Sequence, residues 1–396
     1  MRTIDYGLKF SLALAIVLIP FRPIWGSYAT ILLGVVALAN WIYTRKWEGF
    51  SLLSCCLIAM YIVRVIWLLR SPDLHVGSRT LETGSPLIGI PLIFSFFVLT
   101  NGRKEFAIRA YILMGIGLML YSFWQLVIYF QTSSPYPFWH YTMVHLDPRW
   151  FWDSSRYFSY NMLNWDGAHY SFITVMLVYG MHLAVFFENK TRFDKWIAVA
   201  YVILFLLFQM YAGSRIGLLI LGISLILYAV LAIPGIFRSK AVFASLSVAG
   251  VCLIIFVLVR WGTQLDHSRY LYAKYTLAAV KQHPLLGHGT GAGEFILNDP
   301  SMEKEVGWVV NHPHNQLLAD VLEYGIIGTI PLVAFMALGL LQGFHNRDKA
   351  LLAVIVTALI FMLTEAPLNS NKGLVPLVFV TSLLFNKKDG GQLGFS

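Results

Sequence analysis

Residues 314–342 read HNQLLADVLEYGIIGTIPLVAFMALGLLQ, a long apolar run that begins with polar side chains. A helix needs about 20 mostly apolar residues to cross a bilayer, so this run is long enough to span a membrane. Asp320 and Glu323 follow its polar start, and acidic groups within a span usually face the interior of a bundle or a cavity. The stretch therefore predicts a membrane-spanning helix, with the two acids either in a structural ion pair with an arginine or orienting groups near a site.

The rest of the chain is also strongly apolar. Its 396 residues could form two or three soluble domains by length alone. However, 58% of the residues are hydrophobic and 12% are charged, against about 25% charged in a soluble domain. The mean hydropathy is +0.67, which also excludes disorder. We expect an all-α polytopic membrane protein whose residues 1–396 form a single integral membrane domain.

Twelve apolar runs are candidate transmembrane helices, and the first, fourth and last are the shortest. The first run lacks a small-residue cleavage site and continues into Pro20-Phe-Arg-Pro23 and a second run, so it is predicted to be a span and not a signal peptide. The runs cover roughly 6–21, 24–43, 50–69, 84–100, 107–130, 168–187, 195–212, 214–234, 241–260, 314–342, 349–366 and 372–386.

Basic residues predict the orientation of these spans. The net charge of +9 is typical of a membrane protein that follows the positive-inside rule and contacts anionic lipid, so no nucleic-acid partner is expected. With the N-terminus in the cytoplasm, more Lys and Arg residues lie on the cytoplasmic side than outside. Both termini are therefore predicted to be cytoplasmic. The cytoplasmic set is Arg2, Lys9, Arg45, Lys46, Arg103, Lys104, Arg109, Lys190, Arg192, Lys195, Arg238, Lys240, Arg347, Lys349, Lys387 and Lys388.

Two long loops then lie on the outer side. Residues 131–167 are rich in aromatic side chains, which fits either an interfacial belt or a surface that contacts sugar or lipid. Residues 261–313 contain a predicted helix over 268–281. A glycine-rich stretch over 283–293 follows, as either a turn near a substrate headgroup or a flexible connector. It follows no strand of a βαβ unit, so it does not predict a dinucleotide site.

Polar residues cluster at Asn311-His-Pro-His-Asn315, where the second loop meets the tenth span. Pro313 suits a helix start and Asn315 can cap one, which places His314 at a helix entrance. Imidazole groups titrate near neutral pH and can accept a proton there. The alternative is a helix cap without chemistry.

A second polar outlier is Arg215, in the turn Ala212-Gly-Ser-Arg-Ile-Gly217. An arginine at an outer helix start can hold a phosphate oxygen, or it can be a surface arginine that snorkels to the interface. Gly213 and Gly217 would let a bulky ligand approach the backbone.

The chain resembles the bacterial O-antigen ligase family, which belongs to a superfamily of O-antigen ligases and polymerases. The resemblance rests first on His314-Asn315, followed after nine residues by Gly325-Ile-Ile-Gly328. The Gly-Ser-Arg-Ile-Gly turn is similar to the motif that contains the family's first essential arginine, which corresponds to Arg215 in this chain. Arg269, in Ser268-Arg-Tyr-Leu-Tyr272, is similar to the second, ahead of a His-Pro-Leu-x-Gly-x-Gly stretch.

The resemblance implies a GT-C-like, metal-independent, inverting glycosyltransferase of the inner membrane that needs no cofactor. Its donor would be O-antigen on undecaprenyl diphosphate and its acceptor lipid A–core oligosaccharide, on the periplasmic side. His314 would be the base, Arg215 and Arg269 would hold the diphosphate, and His312, Asn315, Gly213 and Gly217 would help bind substrate. O-antigen polymerases and protein O-oligosaccharyltransferases use the same donor and remain alternatives, and a lipid-linked sugar transporter is a rival from another class.

Overall fold

The computed structural model describes residues 2–21, 23–132, 170–187, 191–212, 215–232, 267–298 and 312–385. These ranges contain helices joined by short connections and no strand. Two 3₁₀ turns, Leu68–Arg70 and Pro367–Asn369, accompany the α-helices. The α-helices are α1 Arg2–Leu18, α2 Pro23–Thr44, α3 Leu52–Trp67, α4 Leu74–Gly84, α5 Pro86–Ser95, α6 Asn101–Thr132, α7 Tyr170–Phe186, α8 Arg192–Ala212, α9 Arg215–Ala232, α10 His267–Val280, α11 Ala292–Ile296, α12 Gln316–His345, α13 Lys349–Thr364 and α14 Asn371–Phe385.

The helices agree with the predicted all-α membrane class. Four of them are long and apolar enough to cross a membrane: Trp25–Thr44, Leu52–Arg70, Asn101–Ile128 and Gln316–His345. Shorter apolar helices coincide with other predicted spans. The predicted span 241–260, nearly all of loop 131–167, and residues 261–266 and 299–311 lie outside the described residues. The count of twelve spans stays a prediction.

The chain divides into two compact units. Unit 1 comprises Met1–Ser51, Leu92–Ser224 and Val375–Ser396, and unit 2 comprises Leu52–Pro91 and Leu225–Leu374. In unit 1, α6, α7 and α8 pack around the fully buried side chain of Tyr201, whose hydroxyl donates to the Leu177 carbonyl oxygen at 2.8 Å. Gly115 and Gly180 flank that ring, where a Cβ atom on either glycine would collide with it. Small residues thus allow close packing of these helices.

Ion pairs connect helix starts within unit 1. Arg103 near the start of α6 pairs with Asp5 near the start of α1, with Nε and Oδ1 at 2.7 Å. Arg109 donates to both carboxylate oxygens of Asp194, each at 3.1 Å, and its guanidinium lowers the pKa of that carboxyl. Arg103 and Arg109 belong to the predicted cytoplasmic set, and the two pairs connect α6 to the starts of α1 and α8. The orientation itself stays a prediction.

Helix α12 is the centre of unit 2 and packs against α3, α10, α11 and α13. Its helical conformation is interrupted at Gly325, which has φ 67° and ψ −176°. A break leaves backbone groups without their intrahelical partners, and at membrane depth such groups must be satisfied by the protein itself. The glycine-rich stretch 283–293 satisfies them.

This stretch meets the break from both sides. The His288 and Gly289 N–H groups donate to the Leu322 and Glu323 carbonyl oxygens, at 2.9 and 2.8 Å. Beyond the break, the Ile326 N–H donates to the Pro284 carbonyl oxygen at 2.9 Å. The stretch is therefore a bonded part of the helix packing, and not the flexible connector that the sequence left open.

Two glycines make this approach possible. Gly325 has positive φ, and a Cβ atom there would collide with the Leu285 carbonyl. Gly287, at φ 62°, would place a Cβ atom 2.5 Å from the Glu323 carbonyl oxygen and the Gly325 nitrogen. Side chains are strained in this region and have no space here, so both positions require glycine.

Candidate active site

The predicted helix entrance is present at the start of α12. Asn315 is the N-cap residue, and its Oδ1 accepts from the Leu318 N–H at 3.0 Å. Its Nδ2 donates to the Leu363 carbonyl oxygen at 3.1 Å, so the same side chain also caps the end of α13. Asn315 therefore joins the start of one helix to the end of another, which confirms its predicted capping role.

His314 precedes the cap in a left-handed backbone conformation, with φ 49°. Such a conformation costs about 1–2 kcal/mol in a residue other than glycine and is concentrated at functional sites. The surrounding contacts must therefore hold His314 in place. The first of them is a hydrogen bond of 2.9 Å between its Nδ1 and Oε2 of Glu365.

Glu365 connects the site. It is the C-cap residue of α13, and its side chain is only 4% exposed. Oε1 accepts from Nη2 of Arg269 at 2.9 Å, while Oε2 contacts His314. One buried carboxylate thus holds both the predicted base and a predicted diphosphate-binding arginine.

Helix α10 supplies the remaining side chains. Arg269 also donates through Nη1 to the Thr364 carbonyl oxygen, one of the last carbonyls of α13, where a cation is favoured by the helix dipole. Tyr272 lies one turn further on the same face, and its ring stacks on His314 with centroids 5.4 Å apart. The Arg269 side chain remains 37% exposed and that of His314 30% exposed.

His312 packs edge-on against His314, with ring centroids 4.3 Å apart and planes at 83°. The structure therefore brings together four of the predicted residues, His312, His314, Asn315 and Arg269. His314 and Arg269 both hydrogen-bond to the buried Glu365 carboxylate, while His312 joins the cluster through its ring contact with His314.

The other predicted residues lie in unit 1. Helix α9 begins at Arg215, but the side chain of Arg215 and all of Gly213 lie outside the described residues. At Gly217 a Cβ atom would collide with Gln209 and would lie 2.7 Å from a Thr174 methyl group. In this structure Gly217 therefore provides space for neighbouring side chains. The substrate-binding roles of the two glycines and of Arg215 stay predictions.

Glu365 and Tyr272 were not among the residues predicted from the sequence. Glu365 is the only acidic residue in the predicted span 349–366, and a lone carboxylate in such a run is a functional candidate. The lone carboxylate could be recognised in the sequence, but nothing there indicated that it contacts His314 and Arg269. Tyr272 gave no signal, because an aromatic residue on a helix is most often a packing residue.

The geometry suits proton transfer beside an anion. When Nδ1 donates its hydrogen to the Glu365 carboxylate, Nε2 is the nitrogen of the neutral His314 ring that carries the lone pair, which is the arrangement that a general base requires. Arg269 occupies the other oxygen of the same carboxylate. Within the described residues, no group of three or more His, Cys, Asp or Glu side chains could hold a metal ion.

The described part of the chain is thus an apolar helical protein of the membrane class, with a His–Glu–Arg cluster around the buried Glu365 carboxylate at a helix entrance. Residues 200–333 match the family model described as O-antigen ligase (Wzy_C). The match includes Arg215, Arg269, His314 and the Gly325–Gly328 turn, and it supports a member of the O-antigen ligase/polymerase superfamily. A search of curated proteins finds no match to the chain.

Proposed function

We propose that the protein transfers O-antigen polysaccharide from undecaprenyl diphosphate to a sugar hydroxyl of lipid A–core oligosaccharide, at the periplasmic face of the bacterial inner membrane. The observation that carries the proposal is the Glu365 carboxylate that holds His314 on one oxygen and Arg269 on the other. The family match supports ligase or polymerase-type activity and lipid-linked glycan substrates.

In the proposed reaction, the acceptor hydroxyl oxygen attacks the anomeric carbon from the face opposite the diphosphate. Its proton passes to Nε2 of His314 as the new C–O bond forms. Such general-base assistance is commonly worth about 10²–10⁴-fold in rate. Glu365 accepts the Nδ1–H hydrogen bond throughout and so favours the charged imidazolium.

The bond from the anomeric carbon to the diphosphate oxygen breaks with its electron pair on that oxygen. Undecaprenyl diphosphate is a good leaving group, so it needs charge stabilisation and not an obligatory general acid. Arg269 and Arg215 supply that stabilisation, and guanidinium groups are well suited to bidentate phosphate contacts. The inverting, metal-independent character of the reaction is part of the proposal.

A reconstituted transfer assay tests the proposal. The purified protein in detergent receives undecaprenyl-diphosphate glycan and, in separate reactions, lipid A–core, the lipid-linked repeat unit or an acceptor protein. Glycan transferred to lipid A–core supports the ligase. Growth of the lipid-linked chain instead identifies a polymerase, and modification of the protein identifies a protein O-oligosaccharyltransferase.

A further inference from the structure

Arg64 of α3 is buried, with 2% of its surface exposed, and the proposed mechanism does not use it. Burying a guanidinium is costly unless charges and hydrogen bonds compensate it. Gly84 leaves space for the group, since a Cβ atom there would lie 2.9 Å from Nη1 of Arg64. Asp320 and Glu323, also buried in unit 2, interact electrostatically with this arginine.

Arg64 contacts the turn that follows Glu365. Its Nη2 donates to the Leu368 carbonyl oxygen at 3.2 Å. The Leu368 N–H in turn donates to Oε1 of Gln316 at 2.8 Å, and Nε2 of Gln316 donates to Oδ1 of Asp320 at 2.7 Å. Both backbone polar groups of Leu368 are therefore held by side chains, three residues after Glu365.

We propose that Arg64 is a positioning residue, which fixes the turn Ala366–Asn369 and thereby holds the Glu365 carboxylate between His314 and Arg269. The role rests on the proposed function of these three residues. A whole buried ion pair can often be replaced by apolar residues without loss of stability, so stability alone is a weak reason for keeping charges at these positions. Positioning accounts for a guanidinium whose described hydrogen bond goes to the turn beside the site.

A double-mutant cycle on the rate of glycan transfer tests the role. Misplacing a catalytic group by about 1 Å can cost about 10²-fold, so Arg64→Met should lower kcat by about 10- to 100-fold with little change in donor KM. Arg64→Lys keeps a charged donor for Leu368 and should restore most of the rate. In the Glu365→Gln background, Arg64→Met should have almost no further effect, because its action passes through Glu365.

Arg103→Met is the matched control. Arg103 also donates to a backbone carbonyl oxygen, that of Val98 at 2.8 Å, and pairs with Asp5, but both contacts lie in unit 1. The fold-losses in kcat caused by Arg103→Met and by Glu365→Gln should multiply in the double mutant, as independent effects do. If the fold-losses in kcat of Arg64→Met and Glu365→Gln also multiply in their double mutant, Arg64 acts on stability alone and the proposal is overturned.

A second readout does not need transfer activity. Diethyl pyrocarbonate modifies imidazole nitrogens, and mass spectrometry of the peptides gives the rate at His314, with exposed His75 as the internal reference. Arg64→Met and Glu365→Gln should change the His314 rate in the same direction and by similar factors. An unchanged His314 rate in folded Arg64→Met protein would contradict the proposal.

Gln316→Leu removes the side-chain acceptor of the Leu368 N–H group. It should change the modification rate of His314 in the same way, even if the Arg64→Met protein does not fold. The two readouts also separate the claims. Coupling of His314 reactivity to Arg64 without any glycan transfer by the wild type would overturn the proposed function and leave the positioning role in place. Glycan transfer by the wild type without such coupling would overturn the positioning role and leave the proposed function in place.

Discussion

Replacing Glu365 by glutamine removes the charge that joins His314 to Arg269 but keeps the size of the side chain. In the wild type, Oε1 and Oε2 accept hydrogen bonds of 2.9 Å from Arg269 and from Nδ1 of His314. A glutamine can accept from Arg269 with its oxygen, which turns its NH₂ group toward His314. Nδ1 must then be the acceptor, and the proton moves to Nε2. The ring can no longer take a proton from the acceptor hydroxyl.

The expected loss follows from that change of tautomer. Without the base, the rate should fall by about 10²–10⁴-fold, which corresponds to about 3–5 kcal/mol of barrier. Folding should change little, because the Arg269 side chain is 37% exposed and keeps its contact with the Thr364 carbonyl. The assay is the initial rate of transfer from undecaprenyl-diphosphate glycan to lipid A–core by purified protein, with thermal unfolding measured in parallel.

Glu82→Gln is the control, since Glu82 is an exposed carboxylate on α4 of the same unit. It should transfer at the wild-type rate. A Glu365→Gln variant that folds normally and transfers within a factor of about three of the wild type would refute the role of Glu365 in holding the base.

Three further predictions concern other parts of the chain. Arg215→Lys keeps the charge but loses the bidentate fork of the guanidinium. Transfer should be severely impaired if Arg215 grips the diphosphate and nearly normal if it only snorkels to the interface. Donor KM and kcat are measured to distinguish the two. Gly325→Ala should sharply reduce the yield of folded protein in a size-exclusion profile, whereas Gly89→Ala, a helical position with open space, should not. A chelator should leave transfer unchanged, and strong inhibition that returns to normal on adding a divalent cation would contradict the metal-independent mechanism.

Hydropathy and local motifs predicted a large part of this molecule. The apolar runs predicted helices because a span is a local property of about 20 residues. The start of α12, with Asn315 as its N-cap and His314 just before the cap, followed from capping preferences that act over three or four residues. The sequence also indicated that Asp320 and Glu323 lie on the same helix, facing the protein interior.

The contacts between distant segments could not be predicted in this way. Glu365 reaches His314 from 51 residues away in sequence, and only the packing of α12 against α13 brings them together. The glycine-rich stretch was likewise predicted only as a turn near a substrate headgroup or a flexible connector, because the break at Gly325 that it fills is a tertiary feature. A single sequence contains the residues of such contacts but not their pairing.

The most direct test of the central claim is a lipopolysaccharide gel of a strain deleted for this protein and complemented with wild type or His314→Ala. The account predicts full-length lipopolysaccharide with the wild type. With His314→Ala present in the membrane at normal levels, it predicts long glycan trapped on undecaprenyl diphosphate and bare lipid A–core. Core capped with a single repeat unit would instead indicate a polymerase, and normal lipopolysaccharide would contradict the assignment of His314 as the base.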